Sequence, residues 1–168
     1  MDHSAVDHIS VEVSDTQRHL RIDGAGLRRL VRDVLQLEGV RRAEISLVVV
    51  DDAMIRMVNR RHLGHDWATD VITFRLSDPA EPVLAGELIV SAELARDTAR
   101  QARTAPAAEL ALYIVHGLLH LCGFDDQDAA SAAAMRRREA EVLEALGVPN
   151  TFASVDSANA SEDLPCSA

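Results

Sequence analysis

The segment His116-Gly117-Leu118-Leu119-His120-Leu121-Cys122-Gly123-Phe124-Asp125-Asp126 holds the densest metal-binding chemistry in the chain. Residues four apart on a helix share a face, so His116 and His120 can present two imidazoles to one point. Both stand in an otherwise apolar run, where an unpaired polar side chain is costly. Gly123 can end that helix and turn the chain back. Asp125 or Asp126 can then supply a third, oxygen ligand. Two histidines and a carboxylate suit zinc, and also non-haem iron. The plainer alternative is two partly buried histidines bonded to backbone or carboxylates. The helical spacing, the flanking glycines and the following carboxylates together favour the metal.

This pattern differs from the metallopeptidase motif HExxH, whose Glu directly follows the first His and acts as general base. Gly117 occupies that position. Glu109 shares the helix face but lies two turns away, about 10 Å along the axis, too far to be a ligand. A hydrolase built here must find its base elsewhere or rely on the metal.

The elements that must position these residues alternate between period two and period 3.6. Ile9, Val11 and Val13 alternate with polar residues as in a strand. Asp23 can cap a helix with Leu27, Leu30, Val31, Val34 and Leu35 on its apolar face, ending near Gly39. Ile45 to Val50 reads as a buried strand, and Asp51 caps a helix with Met54, Ile55 and Val58 inward. Val71 to Phe74 and Leu84 to Val90 read as strands, the second weakened by Gly86. Ser91 caps the next helix, which carries Leu94, Ala95 and Thr98. The histidine helix runs from about Ala107 to Leu121, and a last helix from about Asp128 ends at Gly147, with Pro149 beyond. About four strands and five helices predict an α+β fold, a mixed sheet covered by helices, with strand order left open.

The 168 residues suit one domain with a substantial core. An apolar share of 48% with 26% charged residues excludes a disordered chain, and two cysteines exclude a disulfide scaffold. The net charge of −10 excludes a strongly basic nucleic-acid binder. All 17 basic residues are Arg, which suits phosphate contacts but fits a biased genome composition better than selection for a ligand. Residues 1–7 are expected to be a flexible N-terminus, 8–149 one domain, and 150–168 a disordered acidic tail. No signal peptide or membrane span is expected, so a cytoplasmic protein is the default.

The histidine segment resembles the signature HGxLHLxGyDH of the YbeY proteins, bacterial metal-dependent endoribonucleases of ribosomal RNA maturation. Asn59 and Thr69-Asp70-Val71-Ile72-Thr73-Phe74 resemble that family's Asn followed by Thr-Asp-Val-Leu-Ser-Phe. Gly86-Glu87-Leu88-Ile89-Val90-Ser91 resembles its Gly-Asp-Ile-x-Ile-Ser strand, and Met135 and Glu139 fall where its last helix carries Met and Glu. The resemblance covers roughly residues 8–149. It implies a metalloprotease-like layout, with the histidine pair on one helix and the metal at one end of a cleft. It further implies cleavage of single-stranded RNA at the small-subunit ribosomal RNA 3′ end, and a part in ribosome quality control.

Two departures stand out. The family's third ligand is a His where this chain has Asp126. Aspartate still binds zinc but adds a negative charge, which weakens the ion as a Lewis acid and opens the site to harder metals. The family's Arg four residues after the Asn is Leu63 here, with Arg60 and Arg61 close by as substitutes. The expected metal ligands are therefore His116, His120 and Asp126, holding one divalent ion, zinc first. Arg60 and Arg61 are expected to hold the RNA phosphate, Arg61 with a catalytic part, and Asp70 to act as acid/base or orienting group. His62 and His65 are expected at the surface, and Trp67 in packing. The expected partners are single-stranded ribosomal RNA and the small ribosomal subunit, with neither DNA nor membrane. A non-catalytic, metal-stabilised ribosome assembly factor is the alternative, and a metallopeptidase-like hydrolase a weaker one.

Overall fold

A computed structural model describes residues 7–149; of the N-terminus expected at 1–7 only Asp7 is described, paired with Arg41 at 2.6 Å, and the tail expected at 150–168 lies outside the described residues. The elements run β1 (His8–Asp15), α1 (Gly24–Leu37), β2 (Arg42–Val50), α2 (Asp52–Leu63), β3 (Val71–Arg75), β4 (Leu84–Ser91), α3 (Ala92–Ala102), α4 (Pro106–Leu121) and α5 (Ala129–Ala145). The four strands form one sheet in the order β1-β2-β4-β3. β1, β2 and β4 are parallel, and β3 pairs antiparallel with β4 at the edge. The sheet is thus mixed, as the alternation of periods predicts.

The pleat divides the core between two faces. Ile45, Leu47 and Val49 of β2, with Leu84, Leu88 and Val90 of β4, pack into the main core under α1, α4 and α5. Val50, Ile72 and Ile89 point the other way and bury against Ile55 of α2. α4 is apolar nearly all round and is the central helix, touching α1, α3, α5, β3 and β4. Each leucine it fully buries, Leu118 and Leu119 among them, contributes about 2 kcal/mol.

Two glycines set how closely α4 lies on the sheet. A Cβ at Gly117 would meet Leu88 Cδ2 at 2.8 Å and Val71 Cγ2 at 3.0 Å. A Cβ at Gly86 would meet Leu121 Cδ1 at 2.7 Å. The glycine that weakens β4 by propensity is the one that seats the C-terminal end of α4.

The caps at Asp51 and Ser91 form as expected, accepting from Met54 N and Leu94 N. The Asp23 side chain makes no such bond. α4 begins at Pro106, whose fixed φ suits a first helical position. Met54, expected inward, is 40% exposed. α2 turns Ile55 and Asn59, four residues apart, toward the sheet, which leaves Met54 about 100° round the helix. No helix among the described residues is long and apolar enough to cross a membrane.

Candidate metal centre and its cleft

α4 ends in a Schellman turn. Gly123, at φ 101°, is the left-handed residue that the turn requires. Phe124 N donates to Leu119 O at 3.0 Å and Gly123 N to His120 O at 3.1 Å. The reversal brings the next residues back over the histidines. Asp125 Oδ1 accepts from the backbone N–H of Asp126 (2.8 Å) and Gln127 (3.3 Å), so this carboxylate holds the loop. Asp126 turns toward the helix.

Three donor atoms then converge. His116 Nε2 and His120 Nε2 stand 3.1 Å apart, and Asp126 Oδ2 lies 3.5 Å from the first and 3.6 Å from the second. Ligand atoms about 2.0–2.1 Å from a tetrahedral ion are about 3.3–3.4 Å from each other. The triangle is close to that size.

The outer ring nitrogens fix which atoms face inward. Phe124 O lies 3.1 Å from His120 Nδ1. A carbonyl only accepts, so Nδ1 carries the proton and Nε2 keeps a lone pair. His116 Nδ1 donates to Glu139 Oε1 at 2.5 Å, from a carboxylate that is only 6% exposed on α5. Such a carboxylate–histidine pair orients the ring and raises its basicity as a ligand. Two imidazole lone pairs directed at each other across 3.1 Å repel unless a cation lies between or beside them. The surroundings ask for positive charge in other ways too. Burial alone opposes the charged form of His116. The Glu139 hydrogen bond and the charges of Glu139, Asp70 and Asp126 outweigh it and hold the pKa above its ordinary value. The donor set and spacing therefore fit a divalent ion.

The triad opens into a cleft of about 610 Å³, walled by the start of β3, the end of α4 and Leu63 at the end of α2. Asp70 and Arg75 line it together with the three candidate ligands. Asp70 Oδ1 accepts from Val71 N at 2.8 Å and from Thr69 Oγ1 at 3.1 Å, so the carboxylate is held in place at the cleft wall. Leu63 lines the cleft and is 50% exposed. Arg60 and Arg61 are exposed on the last turn of α2 and are not among the residues lining the cleft.

His62 meets Phe74 edge-on, and both His62 and His65 lie outside the ligand cluster. Trp67, expected in packing, is 57% exposed and stacks on His65 with ring centroids 4.4 Å apart. The loop is held instead by Asn59, buried on α2, whose Nδ2 donates to Trp67 O at 2.9 Å. That bond satisfies the backbone and leaves the indole outside.

Three contributors have no role in the sequence reading: the Glu139 carboxylate behind His116, the Phe124 carbonyl behind His120, and Arg75. A signal for Glu139 existed, since an acidic residue within the Met135-to-Val142 buried stripe needs a partner. A backbone carbonyl leaves no trace in sequence.

The sequence model of the family described as Endoribonuclease YbeY matches residues 12–147. A protein named Endoribonuclease YbeY from Anaeromyxobacter sp. (strain Fw109-5) is 42% identical over 136 residues, 79% of this chain and 71% of that relative. Another of that name, from Syntrophus aciditrophicus (strain SB), is 32% identical over 151 residues, covering 86% and 94% of the two chains. The solution structure of TM1509 from Thermotoga maritima shares the fold, with a TM-score of 0.58 and 20% identity over 96% of this chain and all of that one. From the second half of β1 to the turn after α5, the sequence is that of this family, and the chain belongs to the YbeY endoribonucleases.

Proposed function

We propose that residues 8–149 form a single metal-dependent endoribonuclease domain that cleaves single-stranded RNA, with the small-subunit ribosomal RNA 3′ end as target and the small subunit as partner. That substrate carries with it a cytoplasmic place of work. The observation that carries the reading is the triangle of His116 Nε2, His120 Nε2 and Asp126 Oδ2 facing an open cleft, in a chain of this family. His116, His120 and Asp126 would hold the ion, zinc in our reading. When bound, a divalent ion lowers the pKa of a water and draws charge from a phosphoryl oxygen.

The chain's own residues do the rest. Glu139 and the Phe124 carbonyl hold the two rings with Nε2 inward. Asp70, fixed through Oδ1 at the cleft wall, takes a proton or orients the attacking water through its other oxygen. Arg60 and Arg61 meet the RNA backbone outside the cleft, from the helix turn that ends in Leu63.

The test is cleavage of a single-stranded fragment of the small-subunit ribosomal RNA 3′ end by protein of known metal content. Cleavage should be lost in His120→Ala and on chelation. Leu63 in place of the family's Arg favours a second reading, a ribosome assembly factor without nuclease activity. Co-sedimentation of a folded, metal-loaded protein with small subunits, without cleavage, would favour that reading.

A further inference from the structure

We infer that Arg75, at the end of β3, is the residue that holds an RNA phosphate beside the metal triad, supplying from the sheet edge the cation that position 63 lacks. This rests on RNA being the substrate. Arg75 is the only arginine among the described residues that lines the cleft. The pleat puts Val71, Thr73 and Arg75 on the side of β3 that faces α4. Val71 and Thr73 meet the helix at Gly117, and Arg75 meets it one turn later, at Leu121.

The guanidinium is anchored without being neutralised. Its Nη1 donates to Leu121 O at 2.9 Å and its Nε to Ser77 O at 3.1 Å. Both partners are carbonyls, and among the described residues no carboxylate lies within ion-pair distance of Arg75. Of five N–H donors on a guanidinium, three stay available, enough for a two-pronged contact with a phosphate. Leu121 closes the same helix that carries both histidines, so the charge is tied to the frame of the triad. Asp70 and Asp126 are acidic groups of the same cleft and oppose an incoming phosphodiester, so a fixed cation beside them favours its approach. Arg75 also lines a neighbouring hollow with Arg41, Arg42 and Glu81. A strand leaving the triad over Arg75 therefore continues past further arginines.

The probe is a fluorescein-labelled single-stranded oligouridylate roughly twelve nucleotides long. Its binding to the full chain is followed by anisotropy across a salt series in EDTA, where no cleavage occurs. Cleavage by metal-loaded protein is measured alongside. Arg75→Gln should weaken binding about tenfold and flatten the log–log salt slope by about 0.7, the loss of one phosphate contact on a single strand. Arg75→Lys should keep the slope. If Arg75 served only to cap α4, Arg75→Gln would lower the thermal midpoint with the slope unchanged, and the inference would be overturned. Equal slopes for the Gln and Lys variants would overturn it too. A parent protein that neither binds nor cleaves the RNA overturns the proposed function itself. A parent that binds, beside an unaltered Arg75→Gln, overturns only the role of Arg75.

Discussion

Glu139 is the residue through which the last helix should control metal affinity, and Glu139→Gln isolates its charge. Gln has nearly the same volume and can still accept from His116 Nδ1 through its amide oxygen. The site is almost fully buried, at 6% exposure, so little solvent screens the change. A hydrogen bond to a charged acceptor contributes about 1.5–3 kcal/mol and one to a neutral acceptor about 0.5–1.5 kcal/mol. The midpoints differ by about 1.25 kcal/mol, about eightfold in metal affinity. Glu139→Ala removes the acceptor altogether, frees the ring to rotate, and should approach a hundredfold loss. The assay is competition for zinc against a chromophoric chelator at fixed pH. Glu141→Gln is the control: it lies on the same helix, and its carboxylate pairs with Arg138 at the surface. It should bind zinc like the parent. Glu139→Gln and Glu139→Ala both within twofold of the parent would refute the reasoning, because His116 would then be oriented by packing alone.

Other consequences can be measured on the same protein. Zinc at a hundred times its dissociation constant should stabilise the parent by about 2.7 kcal/mol. Thermal scans of His120→Ala should show no such gain, and an equal gain would place the ion elsewhere. Gly117→Ala adds a methyl group that meets Leu88, Val71 and Thr73 at once. Overpacking of about 1–3 kcal/mol, offset by about 1 kcal/mol of helix propensity, leaves a net loss near 1 kcal/mol in urea unfolding. A gain of stability would show that α4 has room to lift. Leu63→Arg places a guanidinium on the cleft wall and should raise RNA cleavage about tenfold, the value of one charged phosphate contact. Unchanged cleavage would mean that position 63 is not needed in this chain.

Much of this protein was legible in one dimension because the signals are local. The His116/His120 pair is set by helical periodicity, which needs nothing outside the segment. The β-branched run of Ile45 to Val50 and the caps at Asp51 and Ser91 depend only on neighbours along the chain. The stop at Gly123 follows from the one residue type that adopts its backbone angles without strain. The family motifs are short runs of this kind.

Tertiary structure decided what depends on approach between distant segments. The order β1-β2-β4-β3 and the antiparallel edge follow from how strands far apart in sequence pair. Between two adjacent aspartates, the Schellman reversal directs Asp126 at the histidines and commits Asp125 to backbone amides. Glu139 reaches His116 only because α5 folds back over α4, 23 residues later. Arg75 reaches Leu121 across 46 residues, over a seat that Gly86 leaves open. The amino-acid types and spacing determine that a two-histidine, one-carboxylate metal site can form. What turns the Asp126 carboxylate toward the histidines, what orients the two rings and which arginine lines the cleft beside them were decided in three dimensions, because those contacts have no period along the chain.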